Sequence, residues 1–373
     1  MSRRGWVGLA AGAAAAAAAV AAGAVVERRV VRSRRSGSSG ADELGGLHST
    51  PLTVLTDDGV RLHAEVDEVA PYADQAAKTQ PPKGIRRLRR ADEPDATLVF
   101  VHGYALNLDC WHFQREYFRG KHRMVFYDQR SHGESERSDN HHATVDQLGD
   151  DLLRVLHELV PAEGPVVLVG HSMGGMTIMA FAERHPEVFK NRVRGVALIS
   201  TSAGGLKTHR IVSRLIPDSI GSQVGPRIIA GLALAPEIVD RVRRRGSNVG
   251  YLVADQFAFG EDVPPAYVEF VNNMLAATSF EVLAQFFPNF DTLDKFDVLT
   301  SFAHVPTTIV TGTKDVLTSV GHSRKMAKRI PQATLVECAG AGHMVILEQK
   351  ERVNSALEDL VAQAGRGRAS QVS

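Results

Sequence analysis

From Thr97 onward, short apolar runs alternate with helix-length amphipathic stretches, and this rhythm narrows the available folds more than any other feature. Leu98–Val101, Met124–Tyr127, Val166–Val169, Val193–Ile199, Thr308–Val310 and Thr334–Cys338 read as strands. A strand whose apolar residues do not alternate needs cover on both faces. Val145–Leu159, Met173–His185, Val320–Ile330 and Arg352–Ala362 carry apolar residues at helical spacing. Parallel strands with short helical crossovers form a doubly wound α/β sheet, which binds ligands at the carboxyl ends of its strands. Upstream, Leu52–Leu55 and Val60–Val66 alternate apolar with polar around Asp57-Asp58-Gly59, the signal of a hairpin.

Residues 203–303 break the rhythm. Ile228–Ala235, Ala266–Leu275 and Phe280–Phe287 read as helices, punctuated by Pro217, Pro226, Pro236, Pro264, Pro265 and Pro288. This reads as a helical cap inserted between two parts of the core, 47–202 and 304–365, followed by a tail at 366–373. Residues 71–95 are polar and Pro-rich, with a basic run at Arg86, Arg87, Arg89 and Arg90 that reads as a solvated surface loop.

Residues 1–46 stand apart as an Ala-rich segment and a linker. Residues 5–26 carry no charge and lie between arginines, and 22 residues can span a bilayer, which needs roughly 20. Seven arginines in residues 1–35 against Glu27 give that segment +6, which leaves −5 for the rest of a chain of net charge +1. The acidic body gives no electrostatic footprint for nucleic acid. The two cysteines, Cys110 and Cys338, lack the spacing of a disulfide framework or a zinc site.

One six-residue stretch carries chemistry. Gly170-His171-Ser172-Met173-Gly174-Gly175 follows a strand and opens a helix. It contains G-x-S-x-G, a turn that needs small flanking residues and lifts the serine hydroxyl above the sheet. A serine nucleophile needs a base, and the base an orienting carboxylate, in the chain order nucleophile, acid, histidine. His343, alone in a Gly-Ala-Gly-His loop after Thr334–Cys338, is placed as the base. Among the other downstream histidines, His322 and His185 read as surface residues, and His209 and His304 have no comparable setting. Asp315, just past the strand Thr308–Thr311, is placed as the acid; Asp128 precedes the serine, and the turn after Ile199 offers no acid. Two backbone amides should receive the oxyanion: Met173, after the nucleophile, and Tyr104, in the loop His102-Gly103-Tyr104. His102 reads as a structural hydrogen-bonder, and Trp111 as a pocket wall or a core residue.

"FVHGYALNLDCW", "FYDQRSHGES", "VVLVGHSMGG", "VTGTKDVLTS" and "GAGHMVILE", in that order, resemble the α/β-hydrolase superfamily across roughly residues 50–365. "GHSMGG" is similar to monoacylglycerol-lipase-like and carboxylesterase-like members. The resemblance implies Ser172, Asp315 and His343 as a catalytic triad and the Tyr104 and Met173 amides as its oxyanion hole. It also implies a structural turn at Asp128, His132, Gly133 and Ser135. Haloalkane dehalogenases and epoxide hydrolases share the layout but carry Asp at the nucleophile position, where this chain has Ser172. The expected activity is hydrolysis of a small-molecule carboxylic ester, and it needs no metal or organic cofactor. The apolar cap together with a membrane anchor suggests a lipidic ester, but those apolar side chains read equally as the cap's own core. Two alternatives are a cofactor-free haloperoxidase or perhydrolase on the same residues, and a non-catalytic binding protein.

Five arginines within residues 27–35 favour retention of that flank in the cytoplasm and an uncleaved anchor at 5–26. The rivals are a cleaved signal peptide with secretion and a peripheral Ala-rich tail. The anchor reading predicts a membrane-fraction protein whose amino-terminal sequence begins upstream of residue 5; a mature start near residue 24 would identify a signal peptide instead.

Overall fold

A computed structural model describes residues 44–69, 96–139, 141–162, 164–206 and 257–366. Its centre is one eight-stranded sheet: β1 (Pro51–Leu55), β2 (Arg61–Asp67), β3 (Thr97–Val101), β4 (Met124–Tyr127), β5 (Val166–His171), β6 (Val193–Ile199), β7 (Thr307–Gly312) and β8 (Thr334–Cys338). The strand order is β1-β2-β4-β3-β5-β6-β7-β8, parallel from β4 to β8, with the β1–β2 hairpin antiparallel at one edge. The reversal of strand order at β3 and β5 is the switch point where such sheets place their ligand.

Successive side chains of a strand face opposite ways, and here both faces are covered. Leu98, Phe100, Val167, Val169, Ala197 and Ile199 face one core, and Val99, Val101, Val166, Leu168, Val196 and Leu198 the other. This double burial is why the central strands read as unbroken apolar runs. The first face is covered by α1 (His112–Phe118) and by the carboxyl-terminal helices α9 (Val345–Glu348) and α10 (Lys350–Arg366). The second is covered by α2 (Val145–Leu159), α3 (Met173–Arg184), α4 (Pro186–Arg192) and α8 (Val320–Arg329). Thr144 starts α2 by accepting the Gln147 amide on its hydroxyl at 3.1 Å.

The helices expected in the cap are found as α5 (Pro265–Ala277) and α6 (Phe280–Phe286), followed by α7 (Asn289–Thr292); the expected helix Ile228–Ala235 lies outside the described residues. Val282, Phe286, Phe290 and Leu293 pack on Met173, Met176 and Ala180 of α3 and on Val145 and Leu148 of α2. Polar ties fix that contact. Asn289 Nδ2 donates to Ala143 O at 2.9 Å, and Lys295 joins Asp146 at 2.7 Å and also Glu183. Among the described residues no helix is long and apolar enough to cross a membrane. The stretches 5–26 and 71–95 lie outside those residues.

Sequence periodicity missed α1. Its buried residues include Gln114 and Arg115, which an apolar count does not see. Arg115 forks onto Asp67 at 2.6 and 3.0 Å, reaches Glu65 at 2.7 Å and lies over the Phe126 ring. All three charged side chains are buried. Burial pushes the Glu65 and Asp67 carboxyls up, but the bonds from Ser49 and Arg115, joined by His48 at Glu65 and the Arg119 charge at Asp67, outweigh it and hold both below the usual range. Arg115→Leu strands two carboxylates in the core. It should lower stability by about 3–5 kcal/mol in chemical denaturation, as loss of one partner of a buried pair does; an unchanged midpoint would refute that role.

Candidate active site

The residues singled out from the sequence converge on the carboxyl ends of β3, β5, β7 and β8. Ser172 occupies the single-residue turn between β5 and α3, with φ 53° and ψ −118°, a conformation that L-residues rarely adopt. The turn exists because its neighbours lack side chains. A Cβ on Gly174 would stand 2.0 Å from the Val101 carbonyl oxygen, and one on Gly170 would stand 2.6 Å from the Gly174 backbone. Strain of this kind persists only where surrounding bonds over-determine it. The Ser172 amide donates to Ile199 O at 2.9 Å, and its carbonyl accepts from Thr201 Oγ1 at 2.6 Å.

Asp315 follows β7, is 4% exposed, and accepts the His343 Nδ1–H on Oδ2 at 2.9 Å. Its other acceptor sites are filled. The amides of Leu317 and Thr318 reach Oδ1 at 2.9 Å, and the Thr318 hydroxyl reaches Oδ2 at 2.8 Å. Burial alone would raise this carboxyl. The His343 imidazole and the Thr318 bonds outweigh that effect and hold it near 2, so it is ionised at neutral pH. His343 lies in the loop between β8 and α9, 7% exposed. His171 Nε2 donates to the His343 carbonyl at 3.0 Å, which ties the His343 loop to the residue before Ser172. Glu348 accepts the Gly342 and Gly260 amides at 2.8 and 2.9 Å and fastens the same loop to the cap.

The His102–Tyr104 loop crosses beside the elbow, the turn at Ser172: a Cβ on Gly103 would stand 3.1 Å from Ser172 Cβ. His102 is a structural hydrogen-bonder. It bonds Gly103 O through Nδ1 at 2.7 Å and accepts the Gln129 amide on Nε2 at 2.9 Å. Tyr104 donates its hydroxyl to Leu283 O of α6 at 2.6 Å and meets Phe290 edge-on, so the cap touches this loop directly. Trp111 is a core residue, buried against Phe100.

The segment after β4 is a structural turn. Asp128 accepts the Leu108 and Glu134 amides at 2.8 Å each, and Gly133 turns beside it at φ 52°. Ser135 donates to Asp128 O, Arg130 forks onto Asp151, and His132 bonds Arg130 O. Four placements differ from the sequence expectation or extend it. His322, expected at the surface, is half-buried with Nδ1 2.9 Å from Ser202 Oγ, because α8, packed on β7 and β8, carries it against the loop that follows β6. Thr318, Thr201 and Gln129 escaped notice; only Thr318, three residues after Asp315, had a local spacing that could have revealed it. His185 ends α3 partly exposed and bonded to Asp150, and His304 is exposed. His209 lies outside the described residues.

Among the described residues no group of three His, Cys, Asp or Glu is arranged to hold a metal. Cys110 and Cys338 are buried and free.

A family model described as "Alpha/beta hydrolase family" matches residues 98–356. The chain is similar to 3-oxoadipate enol-lactonase 2 of Acinetobacter baylyi, 27% identical over 271 residues, 72% of this chain and 89% of that protein. It is also similar to non-heme chloroperoxidase CPO-A1 of Kitasatospora aureofaciens, 27% identical over 262 residues, 69% of this chain and 89% of that protein. Among solved structures it resembles a thermophilic esterase from Thermogutta terrifontis. That match has a TM-score of 0.61 at 22% identity and covers 85% of this chain and 99% of the other.

Burial holds three histidines beside the elbow far below the ordinary 6.5: His102 and His171 at about 3, His132 at about 4. The unfolded chain takes up these protons below pH 6.5 and the folded chain does not, so stability is lost as pH falls through that range. Each histidine contributes about 1.4 kcal/mol per pH unit once well below 6.5. Urea midpoints should therefore drop steeply from pH 6 to pH 4.5; a flat profile would contradict neutral burial.

Proposed function

This chain belongs to the alpha/beta hydrolase family, and from that premise we propose that it is a serine hydrolase of carboxylic esters working through an acyl-enzyme. The observation that carries the proposal is the strained Ser172 turn, set beside a loop in which His343 is already oriented by an ionised Asp315. His343 Nε2 takes the proton from Ser172 as Oγ attacks the carbonyl carbon. The Met173 and Tyr104 amides receive the oxyanion. The intermediate collapses when His343 returns that proton to the leaving alcohol. Water, deprotonated by His343, then attacks the acyl-enzyme, and the proton passes back to Ser172 as the acid leaves. Asp315 fixes the His343 tautomer, with Nδ1–H toward the carboxylate and Nε2 free for transfer.

Two features support an apolar acyl group, of the kind found in lipidic esters. Tyr104 stands at the site with Phe290 edge-on to its ring, and Val282, Phe286 and Leu293 back that contact. The enol-lactonase relative supports ester chemistry in general. The chloroperoxidase relative favours a second reading, peroxide-dependent halogenation by the same residues.

Ser172→Ala should lower hydrolysis of a chromogenic acyl ester by at least about 10⁴-fold, the scale expected when a triad nucleophile is lost. Wild-type kcat/KM should rise from C2 toward medium acyl chains. Retained activity in the Ser172→Ala protein would end the proposal. Peroxide-dependent bromination that exceeds ester turnover would favour the second reading.

A further inference from the structure

We infer that two buried side chains, Thr201 and His102, act on the oxyanion amides from behind: each holds the carbonyl of the peptide unit whose N–H receives the substrate's charge. The inference rests on the reading of Ser172 as nucleophile and of Met173 and Tyr104 as donors. It adds two positioning residues to that site.

A trans peptide unit is planar, and its C=O and N–H point in opposite directions. Whatever fixes one end therefore aims the other. The Met173 N–H shares its unit with the Ser172 carbonyl, and the Tyr104 N–H shares its unit with the Gly103 carbonyl. Thr201 Oγ1 donates to Ser172 O at 2.6 Å, while the helix amides of Gly175 and Met176 reach that oxygen at only 3.0 and 3.4 Å. His102 Nδ1 donates to Gly103 O at 2.7 Å, and the Leu106 amide reaches it at 3.2 Å. In both units a side-chain donor makes the shortest bond to the carbonyl. Both donors are 0% exposed, where hydrogen bonds are stronger and polarise one another along a chain. A donor on the carbonyl thus orients the amide and increases the positive charge on its hydrogen.

The His102 proton position is dictated by its neighbours. Gly103 O can only accept and the Gln129 amide can only donate, so Nδ1 carries the hydrogen and Nε2 the lone pair. Gln129 Nε2 also donates to His102 O at 2.7 Å, and its Oε1 accepts from Thr177 at 2.7 Å. The loop is thereby locked to α3, the helix that carries the other amide. Gly175 fits the same account. A Cβ there would stand 2.6 Å from Thr201 Cγ2 and 2.7 Å from Oγ1. The third glycine of Gly170–Gly175 is the gap through which Thr201 reaches the nucleophile's carbonyl.

Thr201→Val removes the hydroxyl at nearly constant shape, and Thr201→Ser restores it. Rates on a chromogenic acyl ester are normalised to active sites titrated to endpoint with a fluorophosphonate. Thr201→Val should lower kcat per titrated site about tenfold, part of the ~10²–10³ that a wholly lost oxyanion donor costs. KM should stay within about twofold, and affinity for a boronic acid, which forms a tetrahedral adduct on the serine, should fall in parallel with kcat. Thr201→Ser should recover most of the rate. His102→Asn, which keeps a donor near Gly103 O, should retain more kcat per titrated site than His102→Phe. The inference is overturned if kcat per titrated site in Thr201→Val stays within twofold of wild type, or if Thr201→Ser is as slow as Thr201→Val. It is also overturned if the loss falls only on KM, on the titratable fraction or on melting temperature. If the wild-type protein takes no label on Ser172, the serine-hydrolase reading fails and this inference with it. Labelling of Ser172 together with an unchanged Thr201→Val rate removes this inference alone.

Discussion

The close approach of Gly174 to the Val101 carbonyl is the constraint on which the rest of the site depends. It lets α3 start directly against β3, and that contact forces the chain to turn within one residue after β5. Ser172 occupies that residue at positive φ. A backbone conformation costing of order 1–3 kcal/mol survives only if neighbours leave it no alternative. Here β6 and the residues just after it supply them: Ile199 takes the serine's amide, and Thr201 bonds its carbonyl. The parallel pairing of β5 with β6 is thus part of the elbow as well as part of the sheet.

Around that turn the structure has little polar freedom. Asp315 has both oxygens filled by Thr318, Leu317 and His343. His343 is tethered through its own carbonyl to His171, and the loop beneath it is fastened by Glu348. Gln129 and His102 bind the His102–Tyr104 loop to the turn after β4. If the site works as proposed, the groups at its centre are already held by surrounding hydrogen bonds. Such preorganisation lets dipoles stabilise a developing charge without reorganising at the moment of reaction.

The sequence revealed the parts of this design that depend on burial and backbone. Strands β3 to β7 were legible because both faces are covered. The elbow was legible because only glycine fits beside it, and Asp315 and His343 because each follows a strand end. What stayed hidden depends on partners distant in sequence. Helix α1 escaped because Gln114 and Arg115 are buried through bonds to Ile346, Asn354, Glu65 and Asp67, which no local pattern encodes. Helix α4 escaped because Pro186 reads as a break, although proline at a first helical position is favourable. His322 was assigned to the surface because its helix gave no hint of the Ser202 hydroxyl beneath it. Thr201 is an ordinary threonine until β6 is laid beside β5.

The central claim is that the Ser172 turn presents an activated nucleophile. Reaction of the full-length protein with a fluorophosphonate probe, followed by mapping of the modified peptide, tests it without knowledge of the natural substrate. The account predicts one label per chain, on Ser172, abolished by Ser172→Ala and slowed strongly in His343→Ala. No labelling of the folded protein, or labelling at another residue with Ser172 untouched, would contradict it.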